Sequence, residues 1–252
     1  MKQVFLLSPA YCGGRRASIL LNPDSEATTT LEMRAGRLSL GRAFAFMSGL
    51  YFRGKLTYAQ RFGETLIITP TRGLQPPDLP FSLALLREFA VGDVSLDSPE
   101  YRTALERDVV ALAARIGRIA QVILLGSVAS GKYVDVLLPI LGERLRYPVS
   151  FIGRGDMSRG GLLLRSAASG EELEYGPLAA GVRPRGPRPP KLDPATRVAV
   201  SLGHETDLHR GRAPRGIVEP VLSAGATGAK RLDAVVDIRL RQRPRVHGRP
   251  RS

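Results

Sequence analysis

The sequence predicts an α/β fold followed by a basic, Pro/Arg-rich C-terminal tail, and three observations carry this. Short apolar runs of strand length alternate with stretches of helical periodicity, the pattern of a sheet flanked by helices. Gly, Pro and Asn mark the joints between them. Of 252 residues, 43% are hydrophobic and 24% charged, so the chain has the apolar material for a core.

Val4-Phe5-Leu6-Leu7, closed by Ser8-Pro9, reads as a buried strand, and the stretch from Arg16 to Met33 is mixed, with Asn22-Pro23-Asp24 marking a helix start. From Leu40 to Phe62 apolar residues recur at helical intervals (Phe44, Met47, Leu50, Tyr51, Leu56, Tyr58), and Gly49 and Gly54 are expected to break the run. Thr65 to Ile68 is a second strand, and Thr69 to Pro80 a proline-rich loop. Ser98-Pro99-Glu100 places a capping residue and a proline at a helix start, with an apolar stripe running on to Ile119. Gln121 to Leu125 is a third strand, Tyr133 to Leu145 a helix, and Pro148 to Ile152 a fourth strand. The stretch from Gly160 to Tyr175 fits a helix or a hairpin turning at Ser169-Gly170.

Charge is distributed unevenly. The chain carries 37 Lys+Arg against 23 Asp+Glu, net +14, which favours an anionic partner, nucleic acid before a neutral metabolite. Residues 181–252 hold 16 of those cations and 6 of the acids, with nine of the 19 prolines and all three histidines. Gly181 to Pro190 is too rich in proline for helix or central strand, so the boundary is placed there: a domain over 1–180 and a basic, largely disordered tail over 181–252, in which only 233–240 is strand-like. The tail reads as an electrostatic arm for nucleic acid, as an arginine-rich extension with no selected role, or as a handle for a protein partner.

Absences narrow the chemistry. Residues 1–180 contain no histidine, which excludes His-dependent triads there, and one cysteine cannot build a Cys/His zinc site. No metal and no cofactor is expected. The single Cys12 allows no internal disulfide and points to a reducing compartment. Apolar runs of about six residues are far short of the ~20 that span a bilayer, and the N-terminus reads as a strand, not a signal peptide, so the expected setting is cytoplasmic with no membrane partner.

Ligands of open α/β sheets sit at the carboxyl ends of strands. There the sequence places Arg15 and Arg16, then Arg72 beside Gly73, then Lys132, then Arg154 and Arg159 beside Gly160, cations among glycines that suggest one anion pocket. Asp156, between two of these arginines, is the one candidate acid or base, or else an ion-pair partner of Arg159. Cys12, followed by two glycines and two arginines, is either core packing or a redox-sensing thiol. Gly126 to Tyr133 matches GxxxxGK between a strand and a helix, but Tyr133 stands where a P-loop carries its magnesium-binding hydroxyl.

Five collinear segments resemble the YaaA family of bacterial proteins tied to peroxide stress. Leu7-Ser8-Pro9-Ala10 looks like its N-terminal Leu-Ser-Pro-Ala, with Tyr11 where a lysine is usual. Ala45-Phe46-Met47-Ser48-Gly49-Leu50-Tyr51, then Gly54 and Leu56, is similar to its Ala-Phe-x-Gly-x-x-Tyr-x-Gly-Leu stretch, with small insertions. Gly73-Leu74-Gln75-Pro76-Pro77-Asp78 with Pro80-Phe81, Ala129-Ser130-Gly131-Lys132-Tyr133, and Ser150-Phe151 with Arg159-Gly160 and Arg165 resemble three further family segments. The resemblance covers residues 4–165 and implies a distant branch, a compact mixed α/β fold and DNA binding that limits oxidative damage. It marks Ser8, Tyr51, Ser130 and Tyr133 beside the loop cations as anion- or nucleic-acid-binding positions. The expected function is that of a DNA-binding stress-response protein without catalytic activity. The alternatives are an enzyme acting on a nucleotide or nucleobase in the same pocket, or a P-loop-like NTP binder over 126–133.

Overall fold

The computed structural model describes residues 2–178 together with Pro184, Gly186 and Pro187. Apart from those three positions, the boundary at 180/181, the tail, the strand expected over 233–240 and the tail histidines lie outside the described residues.

The strands are β1 (Gln3–Leu7), β2 (Glu64–Ile68), β3 (Leu74–Gln75), β4 (Gln121–Leu125), β5 (Leu145–Pro148) and β6 (Tyr175–Pro177). They form one mixed sheet in the order β3-β2-β1-β4-β5-β6, parallel from β2 to β5 with an antiparallel strand at each edge. The helices are α1 (Arg15–Leu21), α2 (Thr28–Arg34), α3 (Leu40–Ser48), α4 (Leu50–Phe62), α5 (Leu83–Val91), α6 (Pro99–Ile116), α7 (Gly131–Leu141) and α8 (Asp156–Ser169).

The period of two along a strand sorts the core into two layers. Phe5, Leu7, Ile123 and Leu125 face one side, where they meet Leu20 of α1, Phe44 of α3, Phe52 and Tyr58 of α4, Phe89 of α5 and Leu163 of α8. Val4, Leu6, Val122 and Leu124 face the other, against Tyr101 and Val109 of α6 and Leu137 of α7. Both faces of the central strands are covered, which is why their sequences are continuous apolar runs.

Several elements depart from the sequence expectation. Asn22-Pro23-Asp24 is a turn between two helices, closed by the Asp24 amide on Asn22 Oδ1 at 3.0 Å, and the helices lie on either side of it. Gly49, at φ +66°, breaks the 40–62 run, whereas Gly54 lies inside α4. The α5 helix was not expected at all; Ser82 caps it by accepting from the Leu85 amide. The fourth parallel strand is Leu145–Pro148 with a 3-10 turn over Val149–Phe151, so the strand signal was the alternation Leu145-Arg146-Tyr147 and not the apolar run after it. The α6 and α7 helices stop at glycines, Gly117 (φ +76°) and Gly142 (φ +55°), short of Ile119 and Leu145. The stretch after Gly160 is helix, begun at Asp156 and ended by the left-handed Gly170.

The chain winds from β1 to β2 across one face and from β4 to β5, through α7, across the other. The two windings diverge between β1 and β4, so the carboxyl ends of these neighbours mark the switch point, the place of the ligand crevice in open α/β sheets. Among the described residues no helix is long and apolar enough to cross a membrane.

Candidate functional site

The crevice is organised by a lysine. Lys55 lies on α4 four residues after Tyr51 and three before Tyr58, a spacing that puts all three on the helix's inner face, and its side chain is 1% exposed. Its Nζ donates to the Ser8 carbonyl at 2.6 Å and lies 2.9 Å from Ser8 Oγ, at the carboxyl end of β1. It also sits 4.6 Å from the Tyr51 ring centroid and 4.7 Å from that of Phe52. Burial brings its ammonium down to about 7; Asp156 pulls the value up and Arg159 lowers it further.

The neighbouring hydroxyls are kept neutral. Burial pushes Tyr51 up to about 12, with Arg159 opposing the rise, and its buried hydroxyl oxygen has no hydrogen-bond partner of regular geometry. Tyr133, on α7, is raised by burial while its hydrogen bond with Ser8 works the other way. The oxygens of Ser130 and Ser150 are also buried without partners. Ser130 is the residue before α7 and its side chain caps nothing, in contrast to Ser82 and Ser98, whose side chains accept from the amides of Leu85 and Tyr101. Buried hydroxyls without partners are uncommon in folded proteins and ask for an explanation.

The opposite wall is the first turn of α8. Arg159 donates to the Phe151 carbonyl at 3.1 and 3.3 Å, lies over the Phe151 ring at 5.3 Å and is 3.7 Å from Asp156, whose side chain is 69% exposed. Phe151 in turn meets the Tyr51 ring edge-on, with centroids 6.4 Å apart. Two glycines hold this wall in place. A Cβ on Gly54 would lie 2.6 Å from the Gly160 carbonyl oxygen, and one on Gly160 would lie 2.8 Å from the Leu50 carbonyl oxygen. The α4 and α8 backbones therefore touch, and that contact brings Tyr51 and Lys55 beside Asp156 and Arg159.

The sequence-predicted residues divide accordingly. Ser8, Tyr51, Tyr133, Asp156 and Arg159 come together around Lys55; Ser130 precedes the helix that carries Tyr133, and Gly160 serves the helix crossing. Arg154 is engaged beside the site, with Nε on the Ser150 carbonyl and Nη1 on Ser158 Oγ. Lys132 lies 5.2 Å over the Tyr133 ring, and its carbonyl accepts from Tyr101. Arg15 is exposed at the start of α1, and Arg16 reaches the Phe46 carbonyl near the α3–α4 junction. Arg72 is held by Glu88 through two hydrogen bonds, at 2.6 and 2.8 Å, and Gly73 backs onto Ala104 and Asp108 of α6. These two belong to the β2–β3 turn and its supports. Cys12 is a core residue 2% exposed, with burial raising its thiol to about 12, an environment opposed to easy oxidation.

Both glycines of the turn over 126–133 are closely approached by side chains. A Cβ on Gly126 would lie 3.0 Å from the Ser8 Cβ, and one on Gly131 would meet the Asp135 carboxylate. A separate open groove of about 250 Å³ is lined by Leu20, Met33, Leu83, Arg34 and Arg87, and none of the crevice residues borders it.

The sequence reading missed Lys55. Its signal was a lysine in register with Tyr51 and Tyr58 on a face otherwise apolar. No protein-family model, no curated protein and no solved structure matches the chain.

Proposed function

We propose that the protein binds nucleic acid, DNA in the first instance, through the carboxyl edge of its sheet, with Arg159 and the hydroxyls around it receiving an anionic group. The observation that carries this reading is the set of buried hydroxyls at the strand-end edge that also holds Arg159: those of Ser130 and Ser150, which have no partner, and that of Tyr51, which Arg159 faces. The chain's net charge of +14 and the resemblance to the YaaA family support the same partner, and with it a cytoplasmic role in the response to peroxide.

The test is retention of duplex DNA by the full chain as salt is raised. Binding falls with increasing salt, as phosphate neutralisation requires. Arg159→Gln lowers affinity about tenfold at fixed salt, the range for a charge-assisted hydrogen bond, while circular dichroism stays unchanged. A folded Arg159→Gln protein with full affinity overturns the reading.

One observation favours the second reading, an enzyme acting on a nucleotide or nucleobase: a lysine at the base of the site whose ammonium is depressed to about 7. A P-loop-like NTP site over 126–133 has less support, because Tyr133 is packed in the core and Asp135 lies against Gly131.

A further inference from the structure

We propose that Ser8 and Lys55 form a nucleophile–base pair that cleaves an ester or amide carbonyl. The pair is geometric first. Ser8 Oγ and Lys55 Nζ are 2.9 Å apart, within the reach of a direct proton transfer, and the same amine holds the Ser8 carbonyl at 2.6 Å, which fixes the direction of approach. Serine with lysine as its base is an established variant of the acyl-transfer triad, one that needs no histidine, and residues 1–180 have none. Tyr133 hydrogen-bonds the Ser8 side chain from α7 and stays protonated, and the Tyr51 hydroxyl, on the helix that carries Lys55, is the donor assigned to a developing oxyanion.

The step balances as follows. The neutral Lys55 amine takes the Ser8 Oγ proton as Oγ bonds to the carbonyl carbon, and the carbonyl π electrons move onto oxygen. The tetrahedral adduct collapses, its bond to the alcohol or amine leaving group breaks, and the Lys55 ammonium protonates that group. Water then attacks the Ser8 ester, giving its proton to Lys55, and the carboxylic acid leaves as Ser8 recovers its proton. Arg159 selects an acyl group carrying negative charge, exchanging its 3.7 Å contact with the exposed Asp156 for the acyl anion. The charged and titratable groups facing Lys55 are Tyr51 from its own helix and Asp156 and Arg159 from α8, with Tyr133 reaching Ser8 from α7.

The test treats the full chain with a fluorophosphonate probe, in which Oγ displaces fluoride from phosphorus, and locates the adduct by mass spectrometry. The expected result is a single adduct on Ser8, absent in Ser8→Ala, whose rate rises with pH and levels off above about 7, where Lys55 is neutral. Lys55→Met slows labelling at least a hundredfold while the circular dichroism spectrum is retained. Should that variant not fold, the pH profile of the unaltered protein decides the matter. No adduct on Ser8, an adduct that persists in folded Lys55→Met, or a rate flat between pH 6 and 8 overturns the proposal. DNA retention plays no part in the readout, so this pair and the nucleic-acid reading fail separately.

Discussion

A buried lysine is the residue on which the crevice turns, and its cost to stability is measurable. Lys55 titrates near 7 in the folded chain and near 10.5 in the unfolded one. Between those values the unfolded state binds more protons, so stability rises with pH across that window; below about 7 both states are protonated and the full penalty is present. Chemical denaturation of the full chain and of Lys55→Met should show this directly. The advantage of the methionine variant is largest at or below pH 7, on the order of a few kcal/mol, and shrinks towards pH 9.5. A gap that is constant over that range would mean that the amine is not desolvated. Sequence made Ser8, Tyr51, Tyr133 and Arg159 legible because each belongs to a short segment with a recognisable pattern at a strand or helix end. Lys55 stayed hidden because a lysine inside an amphipathic run is normally solvated, and only the packed α4–α8 pair shows that this one is not. Arg72 failed in the opposite direction. Its partner Glu88 stands on α5, a helix the sequence did not announce.

At the scale of elements, the crossing of α4 and α8 decides the geometry of the site. Gly160 looked like an anion contact beside an arginine; its role is to have no side chain where two backbones meet. Gly160→Ala forces a Cβ to within 2.8 Å of the Leu50 carbonyl oxygen and 2.9 Å of the Tyr51 Cα, neither of which yields as a flexible side chain would. Overpacking of this kind costs about 1–3 kcal/mol, and thermal unfolding should register the loss. The same alanine at Gly155, where the added Cβ meets nothing within 4 Å, serves as the control and should leave the melting temperature within a degree or two. Strand and helix existence was legible wherever apolar runs lay in the sheet's centre, as in β1, β2 and β4. It failed at the margins: β5 alternates, β3 is two residues long, and the ends of α3, α6, α7 and α8 were set by glycines whose positive φ the periodicity does not report.

For the whole molecule, charge and topology act separately. Residues 189–252 carry 13 Lys+Arg and 6 Asp+Glu, so a chain shortened after Arg188 loses net +7 without losing any described core residue. Such a chain should unfold at a temperature close to that of the full protein, and its DNA affinity should depend less steeply on salt because fewer phosphates are neutralised. Loss of a cooperative unfolding transition would place the missing segment in the folding unit. The fold class was legible because alternation of strands and helices is a local property. The crevice was only partly so, because its walls come from opposite layers and from distant stretches of chain. Ser8 donates its amide to Leu125 across 117 positions, and Lys55 closes on Ser8 from a helix between them. A ribosome releasing this chain from its N-terminus has therefore exposed the first wall long before the last exists. Arg159 leaves the exit tunnel only after every strand but β6, so whatever the crevice does is withheld until the sheet is all but complete.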